Sequence, residues 1–550
     1  MTYFNEARLP PQGAWPSVRH VARLLGWLAA TVFLLNTLYF VLRVSNPVIQ
    51  QDDWYFLEVF LRKAMDGSLG FADFFVKRRG ADHAQPLFKL IMLFEWRYFD
   101  LDFVVEAIAG VIAVAGFVAI LHRLAMAQRR NDGSDAVRYL AWAAMCAVVF
   151  SLNGDAGTWT WPLVALENIT MLIILIFMLA VWQAHRNGRY LLLALATLLL
   201  GISSDDSALI AALAAVLALV LVWLRNPVAG RSGWKAPAVI VLCVVLVRIG
   251  YAHAPVVGGP PAVPLASDLG RLAERWHEGG WWKWAVFPLV LPVFYTDSLP
   301  QGHAGLWQAM QMIAAVLLAI AHGWFWWKAW RSKVNQPVFV AICLMLLSYA
   351  WVAGIVLIRV PVYGNDYLAQ PRYVLLYAGH LVALLLMWVG TLDSDLSVSA
   401  GRRAVGKAVP VIGCLVLLAV QLPLSLHAWH MRKYVWAYDA RMAYEIDALA
   451  RQPAPVAQCR AVRQACAKPL TKRRLLALLL SAQRLNIYSP RVQRWHKYLP
   501  ALSPVPIGAM ASMPGSAAAT AAGGVHRDDA ARWASPVAGA RGSPTRREAR

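Results

Sequence analysis

The stretch 24–42, LLGWLAATVFLLNTLYFVL, runs 19 residues without a charge, and VSNPVIQQDDWYFLEVFLRKAMDG follows it at 44–67. At about 1.5 Å per residue, a helix of that length reaches most of the way across a hydrocarbon core of roughly 30 Å. Two adjacent carboxylates, Asp52 and Asp53, then emerge just past the membrane. Acids at a bilayer boundary are costly and tend to mark function.

The same apolar texture recurs along the chain. Blocks fall at 22–43, 103–122, 137–152, 163–184, 189–203, 207–224, 236–252, 305–327, 336–358, 373–390 and 407–427. With 59% hydrophobic and 15% charged residues among 550, the chain is too apolar for a soluble fold. We read it as an all-α polytopic membrane protein of about 11 transmembrane helices, with its first block a retained signal anchor.

Orientation follows from the basic residues. Placing the N-terminus inside puts Arg19/Arg23, Arg123/Arg129/Arg130, His185/Arg186/Arg189, Arg225/Arg231/Lys235, Lys328/Arg331/Lys333 and Arg402/Arg403/Lys407 on the cytoplasmic side. The net charge of +22 then reflects orientation, and no basic soluble module speaks for nucleic-acid binding. The outward side collects Asp52, Asp53, Glu58, Asp66, Asp73, Asp82, Asp155, Asp205, Asp206, Asp297 and Asp366. This divides the chain into a cytoplasmic lead (1–21), a transmembrane body (22–427), a small periplasmic helical domain (428–500) and a disordered tail (501–550). Within the body, 44–102 and 253–304 are large periplasmic loops. The second contains DLGRLAERWHEGGWWKWAVFPLVLP (268–292), whose tryptophans suit an interfacial or re-entrant segment; residues 285–296 are alternatively a twelfth span. Cys459 and Cys466 lie in the outward segment, where a disulfide is permitted but not required.

In the first loop, Trp54, Leu57, Phe60, Leu61, Ala64 and Met65 share one side of a helix, and Glu58, Arg62 and Asp66 the other. Such a helix is expected to lie on the membrane surface and hold the acids there. The run Lys77-Arg78-Arg79 lies outside against the orientation bias, which calls for a lipid headgroup or a substrate phosphate. Asp52 and Asp53 serve either catalysis or the helix N-cap, and Asp53 is the favoured base. Asp205 and Asp206, after Ser203-Ser204, read as helix caps ahead of a second acid site. His83 beside Asp82 is a proton-transfer residue, a metal ligand or a solvated loop residue; Glu167 and Asn168 line a cavity or pack.

Asp52-Asp53, Tyr55, Met65-Asp66-Gly67 and Gln85-Pro86-Leu87, with Arg372-Tyr373 opening a late span, together resemble a known pattern. The series is similar to the first extracytoplasmic loop of polyprenyl-phosphate-sugar-dependent glycosyltransferases of the GT-C fold. Protein mannosyltransferases and lipid A aminoarabinose transferases belong to that group. The resemblance covers about residues 22–125, and departs where the family shows Pro-Pro or Lys-Pro-Pro and this chain has Ala84-Gln85-Pro86. It implies a GT-C-like bundle in a bacterial inner membrane, with interfacial helices in the first loop. The implied activity is inverting sugar transfer from a polyprenyl-phosphate donor to a periplasmic glycan, lipid or protein. Asp53 or Asp52 would be the base. Arg372, Lys77, Arg78, Arg79 and Arg248, with Arg359, would hold phosphate, and Tyr55, His83, Glu167 and Tyr373 would line the cavity. A divalent cation is compatible with this chemistry and not demanded by it.

Three other functions fit the composition. A transporter or flippase would use the acids as ion sites, although no inverted repeat is visible. A polysaccharide polymerase or ligase would place its chemistry in 253–304, with Arg271, Arg275 and His277. A scaffold would present 428–500.

Overall fold

The computed structural model describes residues 18–45, 47–49, 53–77, 85–127, 135–153, 157–225, 234–254, 256, 265–294, 304–392, 400–451, 476, 477, 479 and 489–502. Of the tail expected over 501–550, residues 501 and 502 end a short 3-10 helix, and the rest lies outside the described residues, as do Cys459 and Cys466. What is described is helical apart from turns, short connections and one backbone bridge, Lys77 to Val256.

The principal helices are α1 (Val18–Val44), α2 (Pro86–Tyr98), α3 (Val104–Met126), α4 (Asp135–Val149), α5 (Pro162–Asn187), α6 (Tyr190–Ser203), α7 (Asp205–Arg225) and α8 (Lys235–Ala252). They continue as α9 (Leu265–His277), α10 (Lys283–Val290), α11 (Ala304–Arg331), α12 (Gln336–Ile358), α13 (Pro371–Tyr377), α14 (Gly379–Thr391), α15 (Ala400–Arg451) and α16 (Pro490–Trp495). Among the described residues, nine helical stretches are long and apolar enough to cross a membrane, α13 and α14 counting as one from Arg372 to Thr391. The chain is an all-α polytopic membrane protein. The expected eleven is not reached by length, because α4 and α6 have only 15 and 14 residues. A straight helix of that size spans about 21–23 Å, short of a core of roughly 30 Å.

Side-chain contacts give the helices their directions. Gly110 and Gly116 of α3 face Ala165 and Leu172 of α5, so these two run parallel. α4 runs antiparallel to α3: Arg138 donates to the Ala125 carbonyl at 3.0 Å and Trp142 to that of Val118 at 3.4 Å. α4 also runs with α1, Tyr139 lying against Gly26 and Thr37 donating to the Phe150 carbonyl. α15 runs with α1 too, Trp429 donating to Asn36 and Trp436 to the Arg43 carbonyl. α14 is antiparallel to α12, where Asn335 caps α12 and donates to the Gly390 carbonyl at 2.7 Å. Helix ends therefore sort into two faces. One gathers Arg23, Arg123, Arg186, Arg225, Lys235 and Lys328, and we call it the basic end; the other carries the long loops.

At the loop end the first loop is helical from Asp53 to Met65, with a π-helical turn at Leu57–Leu61. Its expected apolar face is present, but it packs on protein rather than on a bilayer surface. Trp54, Leu57 and Leu61 share one buried core with Ala443, Ile446 and Leu449 of α15 and with Val492 and Trp495 of α16. The reason is that α15 is a single helix of 52 residues, which passes the span boundary expected at 427 and offers an apolar face beyond it. α10, eight residues with an internal Pro288, is too short for a twelfth crossing. It joins a separate roof core with Val360, Tyr367, Leu368 and Tyr377.

Candidate functional site

The first loop is tied down by two lysines around Asp73. Lys63 Nζ lies 2.6 Å from Asp73 Oδ1, and the Gly70 amide donates to Oδ2 at 2.9 Å. The buried Lys89 ammonium donates to the carbonyls of Asp73, Phe74 and Val76 at 3.1, 2.9 and 2.6 Å. Burial pulls that ammonium down to about 8, with the Asp73 charge opposing. Asp73 itself is held below the usual carboxylate range: its burial raises it, and the Lys63 and Gly70 hydrogen bonds outweigh that.

The expected phosphate-binding set separates into two groups. Lys77 pairs its backbone with Val256 and carries its ammonium 5.3 Å from the Tyr251 ring. Tyr251 donates to the Gly201 carbonyl at 2.8 Å, and Arg248, one turn earlier on α8, pairs with Asp206 at 3.2 Å. Ser204, not Asp206, supplies the cap of α7, accepting from the Ser207 amide at 3.4 Å. Asp206 is a partner for Arg248, which corrects the capping role expected for it. Asp52, Arg78, Arg79 and His83 lie outside the described residues, and Asp53 and Tyr55 are placed by their backbone alone, in the first turn of the loop helix.

Arg372 forms the second group. Its guanidinium lies 5.0 Å from the Tyr373 ring, 5.7 Å from Trp161 and 5.8 Å from Tyr367. It also donates to the Tyr367 hydroxyl at 2.5 Å. Tyr363 stacks on Tyr367 at 4.4 Å, and Tyr373 meets Tyr367 edge to face. Burial pushes the Tyr367 phenol up, against the nearby charges of Arg372 and Arg359, so the group is a neutral hydrogen-bonding partner. α10 braces this cage through Lys283 to Asp366 at 2.5 Å and Trp284 to Asn365 at 2.7 Å. A planar guanidinium fixed by rings and a phenol is suited to a phosphate, whose oxygens match its fork. Glu167 is half-buried and Asn168 buried in the second turn of α5, which Trp161 precedes.

Sequence reasoning had Arg372 and Tyr373 but not Trp161, Tyr363 or Tyr367. The signal was the run of tyrosines at 363, 367, 373 and 377 around one arginine. It also missed a polar chain inside the spans. His380 and His322 ring nitrogens are 3.1 Å apart, and His322 reaches the Tyr349 hydroxyl at 2.7 Å, where Trp326 also donates. Among the described residues no group of three or more His, Cys, Asp or Glu is placed to hold a metal ion. No protein-family model matches the chain, and neither does any curated protein.

Proposed function

We propose that this protein transfers a sugar from a polyprenyl-phosphate donor to a periplasmic acceptor glycan, lipid or protein, in the inner membrane of a bacterium. The proposal takes eleven passes, with α4 and α6 as short ones, the basic end in the cytoplasm and the loop end in the periplasm. One observation carries it: the caged Arg372 stands at the same end of the bundle as the first-loop helix that opens at Asp53.

In this reaction an acceptor hydroxyl attacks the anomeric carbon as the bond from that carbon to the phosphate oxygen breaks. The acceptor proton passes to the Asp53 carboxylate, or to Asp52, and the electron pair leaves with the polyprenyl phosphate. The leaving group already carries negative charge, so it needs cations rather than a strong acid. Arg372 answers that need directly. Lys77 and Arg248, engaged with Tyr251 and Asp206, serve the entry side of the loop. The test is transfer from a radiolabelled donor in membranes holding wild type, Asp52→Asn or Asp53→Asn at matched expression. Loss of about a hundredfold in one variant is the size expected of a general base; full activity in both removes the first-loop acids from the reaction.

A second reading, a transporter or flippase, is favoured by His322, His380 and Tyr349. Ionisable residues linked inside membrane spans are a common feature of proton pathways.

A further inference from the structure

The end of α1 holds a group of cations that the proposed reaction does not use. Arg43 in the last turn of α1, Arg491 and Arg494 of α16, and Lys497 just after it line a cavity of about 330 Å³. Its remaining walls are largely aromatic. Trp436 of α15 lies nearly parallel to Trp495, 18° between planes and 6.4 Å between centroids, and 5.0 Å from the Tyr498 ring. The cations rest on rings: Arg491 is 5.4 Å from Trp495, Lys497 5.1 Å from Tyr498 and Arg43 5.7 Å from Tyr39. Among the described residues no carboxylate lines the cavity.

Asp102, half-buried, and Asp439, buried, act on Arg491 and do not line the cavity. Two acids behind four cations leave the cavity positive. Nη2 of Arg491 is buried and finds no hydrogen-bond acceptor among the described residues. A buried guanidinium nitrogen without an acceptor is costly, and an anion in the cavity would supply one.

Position selects which anion. α1 leaves the membrane here, and its Leu42, Tyr39, Leu35 and Leu28 are all exposed side chains on a membrane-spanning helix. Tryptophan and tyrosine beside arginine and lysine at a span's end are the anchors of headgroup depth. We propose that this cavity binds the phosphate of an anionic bilayer lipid, its headgroup among Arg43, Arg491, Arg494 and Lys497, its chains along the exposed side of α1. The volume suits a small headgroup. The site does not depend on the sugar-transfer reading. A lipid held here joins α1, α15 and α16, and so braces the core on which the first-loop helix rests.

The test uses the full chain in detergent, stripped of lipid and titrated with dioleoylphosphatidylglycerol, dioleoylphosphatidylcholine or inorganic phosphate. Binding is read by native mass spectrometry and by melting temperature. Wild type is expected to retain phosphatidylglycerol about tenfold better than phosphatidylcholine, which has the same phosphodiester but brings a choline cation up to the four cations of the cavity. The double variant Arg494→Gln/Lys497→Gln, at two exposed positions, should lose the preference, and Arg331→Gln at the basic end should keep it. If the double variant melts early, Arg43→Gln is compared instead. A matching melting shift from inorganic phosphate overturns the lipid in favour of a soluble phosphate. Equal retention of both lipids by wild type, or an unchanged preference in the variants, overturns the site.

Discussion

Lys89 sits in FKLIML on α2 with its ammonium within 3.1 Å of three carbonyl oxygens of the first loop. Replacing it by Met leaves those carbonyls without their donor and should destabilise the loop by about 2–4 kcal/mol. Its pH dependence has a definite sign. The folded value is about 8 and the unfolded one 10.5, so between them the unfolded chain holds a proton the folded chain has released. This group's contribution to stability therefore rises with pH across that window, by at most about 3 kcal/mol, and is flat below it. Protease sensitivity of the first loop should fall from pH 7.5 to 9.5 in wild type, and Lys89→Met should lack that component. At Arg372, Arg372→Lys keeps the charge and loses the planar fork, so about a tenfold or greater loss of sugar transfer is expected. Tyr367→Phe removes only the phenol that accepts from it and should cost less, about fivefold.

At the scale of elements, α3 and α5 meet most closely where Gly110 faces Ala165. A Cβ at position 110 would stand 2.9 Å from both the Ala165 Cβ and its carbonyl oxygen. Gly110→Val must push two buried helices apart and should cost about 1–3 kcal/mol, seen as a lower melting temperature in detergent. Gly413→Ala on α15, where the added Cβ would meet no described atom of another element within 4 Å, should melt no lower than wild type. Nothing in the apolar run around Gly110 announces this approach, because periodicity says which residues are apolar and not which helix they meet. Nine of the eleven expected spans were legible, since 24–42 and its counterparts carry no competing signal, while 137–152 and 189–203 form helices too short to cross by length. The amphipathic face at Trp54, Leu57 and Leu61 was legible as well, but its partner was not: a face that suits a bilayer suits another helix equally. The partner lies about 390 residues away on α15.

For the whole molecule, that long-range packing joins the first-loop helix, the last turns of α15 and α16 in one core. Trp495→Ala should cost about 3–5 kcal/mol locally and raise hydrogen exchange at 53–65 as well as around α16. Unchanged exchange at 53–65 would mean the two do not share a core. The same sorting of helix ends puts Arg372 at the end of the bundle where the first-loop helix opens, and brings Trp161, Tyr367 and Tyr373 around it. His322 and His380 escaped notice for a related reason, lying on separate spans and meeting only when α11 packs on α14.

The most direct measurement is made on the purified full chain in proteoliposomes, supplied with a radiolabelled polyprenyl-phosphate sugar and an acceptor glycan, with internal pH followed in parallel. Label moving to the acceptor, with polyprenyl phosphate released and no proton flux, is the result expected of the transferase. Folded protein that moves no label yet carries protons, and stops when His322 is replaced by Ala, would contradict it and make the protein a transporter.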